Sequence, residues 1–260
     1  MGKRRPVLEV ATLLESPIPV RTITQIQAEV EAERQLPEAK NYEVGRFFRP
    51  SVTVDVVIFT LQERELRVLL VRRGQWPFQD RWALPGGFVR EAEGLEAAAA
   101  RELLEETGVK DVFLEQLHTF GGLERDPRTR VITVAYYALV PNQRLTPAAN
   151  ADAREARWCS VYHLPELAFD HDLILARALT RLRAKIMNSR VAFQLMPEKF
   201  TLTQLQQAYE VVLGKELDKR NFRKKILASD VVLETDEKQK KGRQRPARLY
   251  RFNEAIELED

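Results

Sequence analysis

The sequence predicts an α+β chain: an α/β/α sandwich on a mixed sheet, followed by a small module of two helices and a hairpin. Three observations lead there. Short β-branched runs separated by turn signals fill residues 51–161. One strongly helical segment, 95–107, interrupts them, which puts a helix inside the strand order. Beyond residue 190 the order becomes helix, turn, helix, strand, basic tip, strand.

Taken from the start, residues 1–46 hold no defensible motif. Thr22 or Thr24 is placed to cap a helix reaching about Gln35, where Pro37 stops it, so this stretch is expected to be a partly disordered or helical extension. Residues 52–59 (VTVDVVIF) and 66–71 (LRVLLV) read as a hairpin about the polar turn 62–65. Residues 82–89 read as one short strand with a glycine turn. The helix 95–107 opens after Gly94, runs through Ala97 to Ala100 and stops at Gly108. Residues 112–120, 130–139 and 154–161 read as further strands. A connector helix follows over 172–187. Leu173, Leu175, Ala176, Leu179, Leu182 and Ile186 lie near helical spacing there, with Arg177, Arg181, Arg183 and Lys185 between them.

The last module begins with a helix over 204–213, capped from 200–203 and ended by Gly214. Asp218 caps a second helix over 219–228, and strands at 231–235 and 248–252 flank the polar tip 236–246. This is the order of a winged helix-turn-helix. The expected boundaries are 1–46 for the extension, 47–168 for the sandwich domain, 169–190 for the connector, 191–253 for the winged helix and 254–260 for an acidic tail.

Composition narrows the function classes. Of 260 residues, 44% are hydrophobic and 30% charged, as in ordinary globular proteins. No apolar run approaches the roughly 18–20 residues of a membrane span. The basic N-terminus lacks a long apolar stretch, so no signal peptide is read. A single cysteine, Cys159, excludes an internal disulfide framework and fits the cytoplasm. The net charge is +3, but residues 198–252 hold 14 Lys and Arg against 8 Asp and Glu, a net +6, and the remainder is −3. A basic module on a mildly acidic chain points to a polyanion partner.

The strongest motif spans 87–109: Gly87, Glu93, Arg101-Glu102-Leu103, Glu105-Glu106 and Gly108-Val109. Steps of three and four place Glu102, Glu105 and Glu106 on one helix face. Three carboxylates crowded there repel, and a hard divalent cation such as Mg2+ removes that cost. Such an ion polarises a pyrophosphate and activates water. The Gly86-Gly87 pair permits a tight backbone approach.

These residues match every defined position of the Nudix box, and residues 50–165 resemble the Nudix hydrolase family. The resemblance implies that Glu102, Glu105 and Glu106 are the catalytic metal ligands, joined by the Gly86 carbonyl, with Mg2+ or Mn2+ as cofactor. It implies a structural salt bridge between Glu93 and Arg101. Flanking residues suit a nucleoside diphosphate: Arg73, Arg81, Arg125, Asp126 and Arg128, with aromatic Trp76, Phe78 and Trp82 nearby. The runs 84–89, 114–117, 119–121 and 125–128 are similar to those of ADP-ribose-directed Nudix proteins. With 168–171, 217–225 and 245–252 they are closest to the Nudix-related transcriptional regulators, which join a Nudix domain to a winged helix and control NAD metabolism. That resemblance implies ADP-ribose as ligand, double-stranded DNA as partner and a homodimer.

In the helix 219–228, Phe222, Ile226 and Leu227 are expected to face inward. Lys219, Arg220, Asn221, Arg223 and Lys224 are then the DNA-binding residues, helped by Lys241, Arg243 and Arg245 at the tip. Two readings stand: an ADP-ribose-sensing regulator, and a Mg2+-dependent pyrophosphatase giving AMP and ribose 5-phosphate, for which the box is complete. Glu124, Asp126 and Glu155 are all candidate general bases. His118 and His163 lack ligand spacing, and His171, at the connector, is a candidate relay.

Overall fold

The computed structural model describes residues 21–43, 45–110, 112–140, 153–186, 194–239, 246–253 and 255. The chain divides into two units, Met1–Arg49 and Pro50–Asp260. In the first, α1 (Ile23–Arg34) is capped by Thr22, whose side chain accepts from Gln25 N while the Gln25 side chain answers at the cap. A single turn, α2 (Pro37–Lys40), follows, and neither helix buries a residue.

The second unit is built on β1 (Ser51–Gln62), whose interior is buried on both faces. It pairs antiparallel with β2 (Glu65–Arg73) through a two-residue turn, Glu63 and Arg64, both at positive φ. It pairs in parallel with β6 (Val131–Leu139), which makes the sheet mixed. β3 (Trp82–Ala83) and β7 (Ala153–Ser160) pair with β2, β4 (Gly86–Phe88) pairs with β1, and β5 (Glu115–Phe120) closes the far edge. The single strand expected over 82–89 is thus two strands on different partners, because Leu84 and Pro85 carry the chain across from β2 to β1.

Strand alternation sorts the core into two layers. Val54, Val56 and Ile58 pack with Ala98, Ala99 and Leu103 of α3 (Leu95–Thr107). The small alanines let that helix lie close to the sheet. Val57 and Phe59 face the other way, onto Ile174, Leu175, Ala178 and Leu182 of α4 (His171–Lys185). The same apolar cluster continues into the winged module, through Leu205 and Val212 of α5 (Leu202–Leu213) and Phe222 and Ile226 of α6 (Lys219–Ala228). A hairpin of β8 (Val232–Gln239) and β9 (Ala247–Phe252) completes it. β8 is longer than the expected 231–235. Leu227 is 47% exposed rather than inward. Among the described residues no helix is long and apolar enough to cross a membrane.

Candidate functional site

α3 is positioned from both ends. Gly94 occupies its N-cap, and Gly108, with φ 72°, closes its C-terminus in the left-handed conformation. Leu103 and Thr107 point inward, Glu102 and Glu106 meet the loop carrying Gly86 and Gly87, and Glu105 lies farther out against Arg90 and Arg101.

Arg101 organises this surface. It donates to both oxygens of Glu93, at 2.5 and 2.9 Å, to Glu102 Oε1 at 2.6 Å, to Glu105 Oε2 at 3.2 Å and to the Phe88 carbonyl at 3.1 Å. The guanidinium bonds hold the Glu93 carboxyl down at about 2. Gly86 N–H donates to Glu106 Oε2 at 2.9 Å. Burial, reinforced by the charges of Glu102 and Asp55, pushes Glu106 up to about 8, although the Gly86 bond opposes the shift. As the side chains stand, no three metal-ligating groups among the described residues converge. Glu102 and Glu105 face Arg101, and Glu106 faces the backbone. The glycines are explained by proximity: a Cβ on Gly87 would sit 2.5 Å from Glu102 Oε1, and one on Gly86 would collide with the Val54 carbonyl.

Beside α3 lies a cleft of about 400 Å³, within the usual range for small-molecule sites. Its walls include Glu102, Glu106, Arg73, Arg125, Asp126, Arg128, Trp76 and Phe88. Arg73 lies over the Phe169 ring at 4.8 Å and donates to the Pro77 carbonyl at 2.7 Å. Arg128 lies over Phe88 at 5.0 Å and chelates Asp126 at 2.7 and 3.0 Å. Burial alone would raise the Asp126 pKa, but the Arg128 bonds outweigh it and hold it low, which makes Asp126 a weak base. Glu124 and Glu155 do not line the cleft. Arg81 stands apart from the other four nucleotide candidates, paired with Glu166 at 2.8 Å. Trp82 is core, with Arg157 over its ring at 4.0 Å.

The floor of the cleft joins Arg125 and His171, both singled out in the sequence, to Asp55 and Asp170, which were not. Arg125 donates to both oxygens of Asp170, at 2.7 and 3.1 Å, and lies 3.5 Å from Asp55. His171 accepts from Leu84 N–H through Nδ1 at 2.9 Å, which leaves its proton on Nε2, 3.4 Å from Asp55. Burial lowers the His171 pKa more than Asp55 raises it, so the ring is neutral. One signal was available: Asp55 is the only charged residue of β1, set between valines.

In the winged module, Phe222 and Ile226 are buried while Lys219, Arg220, Asn221 and Lys224 are exposed on α6. Arg223 is half-buried and donates to Thr203 Oγ1 at 3.0 Å, so it ties α6 back to α5. Lys241, Arg243 and Arg245 lie outside the described residues.

Residues 49–181 match the NUDIX domain model and residues 192–252 match the NrtR DNA-binding winged helix domain. The chain is 40% identical over 215 residues to the ADPR responsive transcriptional repressor NtrR of Acinetobacter baylyi, 81% of this chain and 85% of that protein. Over 129 residues it is 38% identical to the ADP-ribose pyrophosphatase of Methanocaldococcus jannaschii, 50% of this chain and 73% of that one. It is similar to Shewanella oneidensis NrtR in complex with a 27mer DNA, with 38% identity, TM-score 0.68, 78% of this chain and 93% of that one. It is also similar to the NUDIX domain of that protein in complex with ADP ribose, with 38% identity, TM-score 0.53, 58% of this chain and 98% of that one. The chain belongs to the Nudix hydrolase family, in the branch that joins the Nudix domain to an NrtR DNA-binding winged helix.

Proposed function

We propose that this chain is a DNA-binding transcriptional regulator of NAD metabolism whose Nudix domain reads ADP-ribose. The observation that carries the reading is one continuous apolar core joining an arginine-lined cleft to a basic helix of the winged-helix type. Arg73 and Arg128 meet the diphosphate, and Trp76 and Phe88 offer ring faces to the base. Lys219, Arg220, Asn221 and Lys224 meet DNA, with Lys241, Arg243 and Arg245 at the wing. Two copies present two such helices to a pair of half-sites. The kinship with A. baylyi NtrR and with the DNA and ADP-ribose complexes of S. oneidensis NrtR supports this assignment.

Glu102, Glu105 and Glu106 fit a divalent cation, Mg2+ or Mn2+. The donors are all oxygen, and buried Glu106 lies beside the carboxylates of Glu102 and Asp55, a crowding of negative charge that a divalent cation relieves. When bound, the ion polarises a diphosphate and lowers the pKa of water. The chain's own part is to hold the carboxylates. Arg101 fixes Glu102 and Glu105, Glu93 fixes Arg101, and the bare Gly87 leaves room for Glu102.

A second reading is favoured by the complete set of glutamates and the M. jannaschii relative: hydrolysis of ADP-ribose to AMP and ribose 5-phosphate. Slow turnover of this kind resets a sensor, so the two readings are compatible. Anisotropy with duplexes selected by the full chain from a random pool, with and without ADP-ribose, tests the first. Absence of sequence-specific binding at moderate salt under both conditions overturns it. Chromatography of ADP-ribose incubated with Mg2+ tests the second. AMP formation should fall on the order of 100-fold in Glu105→Gln and Glu106→Gln, and intact ADP-ribose with the unmodified chain overturns it. Light scattering reads the dimer.

A further inference from the structure

One helix, α4, reaches from the floor of the cleft to the winged module. At its start the chain supplies three consecutive groups to the cleft or its floor. Phe169 lies under Arg73 at 4.8 Å and packs on Phe78 at 4.9 Å, and it does so with φ 54°, a left-handed conformation costly for an aromatic residue. Asp170 occupies the N-cap, yet its side chain caps nothing, because both oxygens go to Arg125. His171 holds Leu84 N–H beside Asp55.

At its other end α4 meets the C-terminus of α5. The last turn of α5 has no basic residue of its own. Its closing carbonyls are served instead from outside the winged module: Tyr162 Oη, of the Nudix domain, donates to the Val211 carbonyl at 2.7 Å, and Arg183 Nε, of α4, donates to the Val212 carbonyl at 3.0 Å. A guanidinium there also meets the negative end of the helix dipole. Gly214, with φ 68°, closes α5, and a Cβ on it would lie 3.2 Å from Arg183 Nη2 and 3.3 Å from Tyr162 Oη. The turn that follows is stiffened by Glu210, which accepts from Gln206 and from Leu217 N–H, both at 2.9 Å. The next residue, Asp218, caps α6.

We infer that α4 is the transmission element of the nucleotide response, and that Tyr162 and Arg183 form the clamp through which it sets the α5–α6 turn. The inference rests on the reading of the chain as an ADP-ribose-responsive regulator. A ligand in the cleft acts on Phe169, Asp170 and Arg125. The buried face of α4 keeps the helix rigid, and over its 15 residues it spans roughly 22 Å. Displacement at its first turn therefore reaches Arg183, and the turn before α6 moves with it. Tyr162 and Arg183 are positioning residues, since neither lines the cleft nor lies on α6.

The test is a linkage measurement on the full chain with ADP-ribose and a labelled duplex selected from a random pool. The quantity read is the ratio of DNA dissociation constants with and without ADP-ribose, which for allosteric proteins is commonly about 5–150-fold. Tyr162→Phe and Arg183→Gln are each expected to cut that ratio at least threefold, and the double variant to bring it to about one. ADP-ribose affinity without DNA should stay within about twofold of the original, and Arg183→Lys, which keeps the charge, should be intermediate. Hydrogen exchange supplies a second readout: ADP-ribose should change protection at 214–218 in the unmodified chain and not in the double variant. If the double variant unfolds, Tyr162→Phe, which removes one oxygen, carries the test. A ratio of one in the unmodified chain overturns the regulator reading and the inference with it. A larger ratio that survives intact in the variants overturns the inference alone.

Discussion

Replacing Arg125 with methionine tests whether the floor of the cleft is held by charge. The Arg125 side chain is 5% exposed and bonds both oxygens of Asp170, at 2.7 and 3.1 Å, with Asp55 3.5 Å away. Methionine fills much of the same space, so the cavity left is small. The dominant effect is that Asp55 and Asp170 keep their charges in a buried place with no cation between them. Breaking a buried pair from one side costs about 3–5 kcal/mol. At about 2–4 °C per kcal/mol for a chain near this size, the melting temperature should fall roughly 6–20 °C. Urea denaturation followed by circular dichroism gives the free energy, and calorimetry gives the midpoint. Adding Asp170→Asn should recover part of the loss, because one of the stranded charges is removed. A loss below about 1 kcal/mol, or a double variant no better than the single, refutes the argument, since either result means water already solvates those carboxylates.

Three further outcomes follow from the same geometry. Gly87→Ala places a Cβ 2.5 Å from Glu102 Oε1, so the Glu102 carboxylate must shift from the place where Arg101 holds it; Mn2+ affinity by calorimetry should fall about 10–100-fold, as when a ligand's support is removed, with DNA binding unchanged. His171 is neutral because burial lowers its pKa, so below about pH 6.5 the unfolded chain takes up a proton that the folded chain refuses. Stability should therefore drop as pH falls through that value, by up to about 1.4 kcal/mol per unit, and His171→Gln should lack this part of the slope in urea titrations at pH 7.5 and 5.5. Lys219→Ala and Lys224→Ala each remove an exposed cation from α6, and the slope of log affinity against log salt should shrink by about one for each phosphate no longer neutralised, equally for all duplexes.

Much of the candidate site was legible because its logic is local. Glu102, Glu105 and Glu106 share a face by helical period alone, and Gly94 and Gly108 bracket the helix in sequence as they do in space. The Glu93–Arg101 pair also spans only eight residues. Other features were out of reach. Arg73, Arg81 and Arg125 look alike as arginines near a box, yet Arg73 lines the cleft, Arg81 pairs with Glu166 outside it, and Arg125 is absorbed by Asp170, 45 residues away. Arg223, expected at the DNA, is spent partly on Thr203, 20 residues back.

By itself the sequence determined the period of each element, the order of two modules and the spacing of the carboxylates, since backbone geometry converts spacing directly into shared faces. Only the tertiary structure decided what the far-apart polar residues do. It brought Asp55, Arg125, Asp170 and His171 to one buried floor and set Tyr162 and Arg183 on the end of α5. The physical reason is the same in both places. A buried charge or an open helix end must find a partner, and which partner it finds depends on how the sheet and helices pack, a choice that no local pattern encodes.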